Sequence, residues 1–431
     1  MPDIPSQLPT VLADRILLAW EDLDIGEMSI RLEAEFTHRL DASRLARAMD
    51  LLLDAEPVLG CRTVFDGKTP FWERLPRGAR GNFIEAPDEA AFAAFRDKHV
   101  SAAVGPQAEG CLWRAPDGDK FLLRVSHVAA DAGGVKEVAA RLSEIYTKLG
   151  VDPAFAPEPN VAGSRASEQG LPQLSWRGRF RVFFNSLRYG WKHGRRPGPL
   201  SLPTWDAAPE HPVDVVRHLP ADRVARIAGY GRARRATVNE MLVAAYYRGL
   251  ARVGGWKPGI PLRLQITVDF RKWYRGGRPA EGICNLSAFD YIHLENKLGA
   301  NFDETLALVA ERSRARKADH PGLVDFGVYP LIKNLSYPRV RAFFAWLLKN
   351  MVSKHLAMNT LTNMGAIEPG QIRFDEPAAR AWLWSPRMRP PLFGAGVSGY
   401  AGSLALTVGA TPGTRAVAEK FFDTLLEELP G

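Results

Sequence analysis

Apolar and polar positions alternate in IRLEAEF (30–36), the period-two pattern of a half-buried strand. An Asp41 cap then opens a helix in which Leu45, Ala48, Met49 and Leu52 recur at helical spacing, and Pro57 closes it. Large and β-branched residues dominate FLLRVSHV (121–128), which predicts a strand buried on both faces. After Gly133 and Gly134, the residues Val135, Val138, Ala139, Leu142, Ile145, Tyr146 and Leu149 follow a 3.6-residue period up to Gly150, which predicts a second helix. From 152 to 210 Pro, Gly and Ser accumulate around one basic aromatic segment, as in a crossover between domains. Beyond it VDVVRHL (213–219) reads as a strand and a helix starts near Ala221. Thr237 and Glu240 have capping-box spacing ahead of the apolar helix MLVAAYYRGLARV. Strand patterns recur in LRLQITVDF (262–270), LSAFDYIHL (286–294) and YAGSLALTVGA (400–410). Strands and helices mix in both halves, which predicts an α/β, or layered α+β, architecture.

Composition narrows the class. Of the 431 residues 46% are hydrophobic and 24% charged, the balance of a folded chain with room for two or more domains. The net charge of +8 is unevenly spread. Residues 171–200 hold Arg177, Arg179, Arg181, Arg188, Lys192, Arg195 and Arg196 with no acid; 326–367 hold Lys333, Arg339, Arg341, Lys349 and Lys354, again with no acid. These stretches carry +12 between them, which leaves the rest of the chain at −4. The three cysteines (Cys61, Cys111, Cys284) are too few and too scattered for a disulfide framework or a zinc site, which fits a reducing compartment. The N-terminus lacks a basic segment followed by an apolar run, and no window of 18 consecutive apolar residues occurs. The expected location is the cytoplasm, with room for peripheral attachment to the inner face of the membrane.

The spacing His-x-x-x-Asp occurs twice. In HLPAD (218–222) Pro220 and Asp222 suit the first turn of a helix, where an acid offsets free N–H groups. In SHVAADAGG (126–134) the histidine ends a buried strand, and Asp131 lies in a short connection closed by Gly133 and Gly134. Glycine permits positive φ and close backbone approach, so this turn can fold Asp131 back behind the ring. Two readings fit: a histidine held ready to take a proton, and a core histidine beside a turn-capping Asp.

SHVAADAGG resembles the His-x-x-x-Asp-Gly signature of the chloramphenicol acetyltransferase-like superfamily: condensation domains, alcohol O-acetyltransferases, wax ester synthases and polyketide-associated acyltransferases. Other segments resemble that family in the same order. RLEAEFTHRLDASRLARAMDLLLDAEPVLGCRTV is similar to its first strand and helix, ATVNEMLVAAYYRGL (236–250) to a helix of its second domain, TVDFRKW (267–273) to a strand end carrying an arginine, and TNMGAI (362–367) to its Ser-Asn-Leu-Gly segment. Departures are Ala132 where Gly usually follows the Asp, Ser126 where condensation domains place a further histidine, and DFGVY (325–329), half of the plant enzymes' Asp-Phe-Gly-Trp-Gly.

The resemblance implies two subdomains in a pseudo-dimer with a tunnel between them, spanning 1–165 and 205–431 and joined by the basic aromatic crossover 166–204. It implies an enzyme, an acyltransferase for groups other than aminoacyl. The acyl group would pass from a thioester to an acceptor hydroxyl or amine, more in keeping with O- than N-acylation. His127 would be the general base; Asp131, Gly133 and Arg271 would support its loop; Asn363 and Gly365 would line the tunnel or meet the oxyanion. The co-substrate would be coenzyme A or a phosphopantetheine thioester on an acyl carrier protein, with no permanently bound cofactor and no metal. One alternative is a condensation-type enzyme on carrier-bound substrates, and another is a non-catalytic member that binds lipid or a partner.

Trp176, Phe180, Phe183, Phe184, Leu187 and Trp191 recur at steps of three and four within 176–196, as do Val340, Phe343, Phe344, Leu347, Leu348, Met351 and Val352 within 338–354, with cations around both. These stripes could pack on their own domains, lie on anionic lipid, or receive a phosphorylated donor. No motif supports nucleic acid, nucleoside triphosphate or metal. Gly394, Gly396 and Gly399 have dinucleotide-fingerprint spacing but lead into a strand pattern, and Cys284 reads as a small buried residue.

Overall fold

Alternation of side chains across extended segments produces eleven principal strands: β1 (Ser29–Phe36), β2 (Phe83–Ala86), β3 (Ala108–Ala115), β4 (Gly118–Ser126), β5 (Val213–Leu219), β6 (Leu262–Asp269), β7 (Ser287–Glu295), β8 (Met358–Ile367), β9 (Arg380–Trp384), β10 (Leu392–Tyr400) and β11 (Ser403–Ala410). The computed structural model describes residues 4–172, 174–194, 199–202, 213–318, 320–324, 326, 329–354, 356–390 and 392–431, with 190, 192–194, 330 and 331 in backbone only. The side chain of Lys192, all of Arg195, Arg196 and Asp206, and Asp325, Gly327 and Val328 of DFGVY lie outside the described residues.

The principal helices are α1 (Leu12–Asp22), α2 (Ala42–Ala55), α3 (Ala132–Val151), α4 (Trp176–Gly194), α5 (Ala221–Ala233), α6 (Val238–Val253), α7 (Phe302–Lys317), α8 (Tyr337–Ser353) and α9 (Pro412–Glu428). Caps set several of their starts. The Asp41 carboxylate accepts from the Arg44 amide at 2.9 Å, and Thr237 with Glu240 closes the capping box that the spacing predicts. In HLPAD Asp222 lies in the first turn of α5 and pairs with Arg226 at 2.7 Å.

The strands form two mixed sheets, in the orders β9-β1-β4-β3-β2 and β7-β6-β8-β10-β11-β5. A separate hydrophobic core fills each half: α2 and α3 pack on the first sheet, α6 and α9 on the second. β9 departs from a simple division at 1–165 and 205–431, because it leaves the second half to pair antiparallel with β1, Arg380 opposite Glu35 and Trp384 opposite Arg31.

Two expectations are corrected. β1 is buried on both faces, not one, because its polar face meets the second half. There Arg31 is bidentate to Asp214 of β5 at 2.7 and 3.1 Å, and Glu33 accepts from Trp384 Nε1 at 2.8 Å. YAGSLALTVGA is a hairpin: β10 ends at Tyr400, and Ala401 and Gly402, both at positive φ, turn the chain into β11. The stripe of α4 is largely exposed. Val182, Phe183 and Ser186 face the domain, with Ser186 Oγ donating to Val324 O, while Trp176 (73% exposed), Phe180, Phe184, Leu187 and Trp191 (65%) face outward. On α8, Tyr337 and Val340 are buried, whereas Phe343, Trp346, Leu347 and Val352 are exposed. Among the described residues no helix is long and apolar enough to cross a membrane.

Asp214 also accepts from Arg387 at 2.6 and 2.9 Å, so one buried carboxylate holds two buried guanidinium groups where the halves meet. Burial works against its charge, but Arg31 and Arg387 more than offset that and hold the carboxyl well below the usual range. Removing it leaves Arg31 without its carboxylate and Arg387 with Asp97 alone, so Asp214→Ala should cost ~3–5 kcal/mol of stability, read from urea unfolding. With its carboxyl depressed in the folded state, Asp214 adds stability above about pH 4 that is lost as pH falls. The stability difference between wild type and Asp214→Asn should therefore shrink on acidification.

Candidate active site

β4 ends at Ser126 and the chain turns at once. The Ala129 and Ala130 amides donate to Ser126 O at 3.0 and 3.1 Å, and the Val128 amide donates to the buried Ser126 hydroxyl at 3.3 Å. The turn brings Ala130 O to 3.1 Å from His127 Nδ1. A carbonyl can only accept, so Nδ1 carries the proton and Nε2 keeps the basic lone pair. His127 donates its amide to Met28 O at 2.8 Å, and its own carbonyl accepts from Asn285 Nδ2 at 3.1 Å, so both halves of the chain hold it. Burial pushes the imidazole below its ordinary value of 6.5, against an opposing pull from Asp131. The ring is therefore neutral at neutral pH.

Asp131 does not fold back behind the ring as expected; the Ala130 carbonyl does that work. The Asp131 carboxylate caps α3 by accepting from the Gly134 amide at 2.8 Å. It also accepts from Arg271 Nη1 at 3.0 and 3.1 Å, from the Leu286 amide at 2.7 Å and from Ser287 Oγ at 2.8 Å. Burial raises its pKa, and Arg271 with these donors outweighs that and holds it below the usual carboxylate range.

Arg271 is not at a strand end, as the resemblance implies, but in the first turn of a short helix, Phe270–Tyr274, whose cap Asp269 accepts from the Arg271 amide at 3.0 Å. Its guanidinium bridges Asp131 and Glu137, the latter at 2.8 Å, and reaches Cys284 O at 3.3 Å. The glycines that follow Asp131 serve this packing and not a positive φ. A Cβ on Gly133 would stand 2.6 Å from Arg271 Nη1, and one on Gly134 would stand 3.0 Å from Cys284 O.

Asn363 and Gly365 lie on β8 at a register shift against β10. Asn363 Nδ2 donates to Asn239 at 3.0 Å, and Asn363 Oδ1 accepts from the Gly365 amide at 3.0 Å. Gly365 has φ of 74°, and a Cβ there would stand 2.9 Å from Lys272 Nζ and 3.2 Å from Lys136 Nζ. Neither residue bonds to His127, Asp131 or Arg271. The link to the histidine loop is Lys136, one turn into α3, whose buried Nζ donates to Met364 O at 2.8 Å and Ala366 O at 3.1 Å.

Sequence reasoning missed Lys136, Glu137, Asn285 and Arg165. Arg165 lies in the crossover, bidentate to buried Asp14 at 2.6 and 3.0 Å, and donates to Ala129 O at 3.2 Å inside the histidine loop. Glu137, six residues beyond Asp131 on the helix after the motif, was the one with a readable signal. Cys284 is buried, and burial pushes its thiol up to about 12, which leaves no thiolate at neutral pH. Gly394, Gly396 and Gly399 sit within β10; a Cβ on Gly396 would stand 2.8 Å from Met364 and Ser385, so that glycine serves sheet packing.

No family model and no curated protein matches the sequence. Solved structures match over nearly its whole length. The trichothecene 15-O-acetyltransferase from Fusarium sporotrichioides aligns at TM-score 0.70 and 12% identity, covering 98% of this chain and 95% of its own. The first condensation domain of the calcium-dependent antibiotic synthetase, in complex with a substrate analogue, gives 0.68 and 16%, covering 99% and 97%. The starter condensation domain of rhizomide synthetase, in complex with C8-CoA and Leu-SNAC, gives 0.66 and 14%, covering 98% and 94%. These likenesses establish the fold.

Gly133→Ala should push Arg271 off Asp131 and lower the melting temperature. Arg271→Ala strands two buried carboxylates and should cost ~3–5 kcal/mol, while Arg271→Lys, which keeps the charge but not the fork, should fall between. Differential scanning calorimetry ranks the three.

Proposed function

We propose that this chain, which has the chloramphenicol acetyltransferase-like fold, is an acyltransferase that moves an acyl group from a thioester to an acceptor hydroxyl with His127 as general base. One observation carries the reading: a neutral imidazole whose Nδ1–H is tied to Ala130 O, leaving Nε2 basic at the seam of the two halves.

In this mechanism Nε2 takes the hydroxyl proton as the acceptor oxygen attacks the thioester carbonyl carbon. A tetrahedral oxyanion forms. As it collapses the C–S bond breaks, and the leaving thiolate takes the proton back from Nε2, giving ester and free thiol. No acyl-enzyme is needed, in keeping with the un-ionised Cys284. Asp131 acts through structure, because its carboxylate bonds to Arg271, Leu286, Ser287 and Gly134 and not to the ring. For Gly365 to meet the oxyanion its amide would have to leave Asn363 Oδ1.

Coenzyme A or a carrier-bound phosphopantetheine supplies the thioester; the C8-CoA in the rhizomide starter domain supports a donor of that chemistry. Ser126, in place of a second histidine, favours ester formation over the peptide-bond chemistry of a condensation module. The exposed aromatic faces of α4 and α8, ringed by cations, favour work at an anionic lipid surface, where an apolar substrate is concentrated.

His127→Ala should melt like wild type and lose ~10²–10⁴-fold in turnover, followed as thiol release from a series of acyl-CoA lengths and from acyl carrier protein. Turnover equal to wild type would sink the assignment. Because burial depresses the imidazole, kcat/KM should be flat through neutral pH and fall only on acidification, with a midpoint below 6.5.

A further inference from the structure

A cationic pocket of about 390 Å³ opens where α1, the turn after Phe65 and the start of α8 meet. Arg15, Lys68, Thr69, Lys333, Ser336 and Arg339 line it, and among the described residues no carboxylate does. Arg15 is spent on the wall, donating to Lys333 O at 3.0 Å and Leu335 O at 3.4 Å. Lys333 pairs with Glu168 at 2.6 Å. The nearby Asp66 carboxylate is turned to the backbone amides of Lys68 and Thr69, at 3.1 and 3.2 Å. Lys68 and Arg339 form no ion pair among the described residues. Arg15 and Lys333 are thus already engaged, which leaves the Lys68 ammonium and the Arg339 guanidinium at the pocket, the donor set that phosphate oxygens prefer.

The direction in which the pocket looks identifies the anion's source. Arg339 stands one turn before Phe343 and two before Trp346 and Leu347, so the pocket cation and the exposed aromatic residues share one stripe of α8, ~10 Å long. Trp346 is 60% exposed and Phe343 packs beside it, ring centroids 6.2 Å apart. An indole at an apolar surface with a phosphate-binding cation next to it matches the depth order of a lipid leaflet, apolar side chains at the acyl boundary and cations at the headgroups. We infer that this pocket holds the phosphate of an anionic phospholipid while Phe343, Trp346 and Leu347 enter the interface. This rests on the membrane reading of α8 and specifies its ligand, but it is independent of the chemistry at His127.

Vesicle sedimentation of the full chain tests it, with phosphatidylcholine alone and with phosphatidic acid or phosphatidylglycerol added, and no thioester present. Wild type should bind the anionic vesicles with salt sensitivity, and phosphatidylcholine weakly. Lys68→Ala/Arg339→Ala should reduce anionic binding ~10–30-fold, at about fivefold per cation. Arg232→Ala/Lys257→Ala, which removes the same charge elsewhere, should change it less than twofold. Equal losses in the two double variants would reduce the effect to net charge and overturn the pocket. So would a saturable titration with inorganic phosphate, abolished by Lys68→Ala/Arg339→Ala while vesicle binding stays intact, since it would make the site one for free phosphate. Loss of acyl carrier protein binding in that variant with vesicle binding unchanged would make the partner a protein, and is equally fatal. Thiol release from a water-soluble acyl-CoA should survive in Lys68→Ala/Arg339→Ala. If His127→Ala keeps full turnover while the vesicle results hold, the acyl-transfer reading falls and the lipid site stands.

Discussion

Asp131, the buried cap of the helix that follows His127, is kept as an anion by a single guanidinium. Arg271 reaches from the second half to Asp131 and Glu137, two carboxylates one on each side of the first turn of α3, and closes on Cys284 O. Its charge makes the buried Asp131 tolerable as an anion, and the anion in turn caps α3 and accepts from the Leu286 amide and the Ser287 hydroxyl. The result is geometric. The anchored Asp131 directly follows Ala130, whose carbonyl meets one nitrogen of the ring. Such clusters add little net stability relative to well-packed apolar groups, because desolvation consumes most of the Coulomb gain. What this one supplies is a unique arrangement of the two halves.

The same economy appears on the floor of the fold. Where the sheets meet the arrangement is inverted, with one carboxylate, Asp214, shared by Arg31 and Arg387, and Lys136 ties α3 to β8 through carbonyls alone. The halves thus join through charged and polar contacts as well as through apolar ones.

Much of this was legible in the chain. Helix starts are local, written in Asp41, Thr237 and Glu240, and the main strands announced themselves by periodicity. The motif histidine and its arginine came from ordered resemblance, not from spacing, which fits a catalytic base and a core histidine equally well. What stayed hidden was non-local. Arg31 and Glu33 look like the wet face of a strand because nothing near them in sequence shows that Asp214 and Trp384 cover them. Arg165 and Asn285 reach the histidine loop from the crossover and from the segment before β7. The stripe of α4 shows the opposite failure, since a helical period of apolar residues predicts a face but not what that face touches.

β9 has a further consequence. Arg380 pairs with Glu35 across about 344 intervening residues, so the strand that borders β1 is made only long after β1 itself. Until then β1 presents an open edge in an otherwise assembled first half. Long-range pairing of this kind slows folding, and a bare edge invites pairing with other chains. The speed with which β9 finds this edge should therefore matter to the yield of native chain, alongside the final stability of the fold.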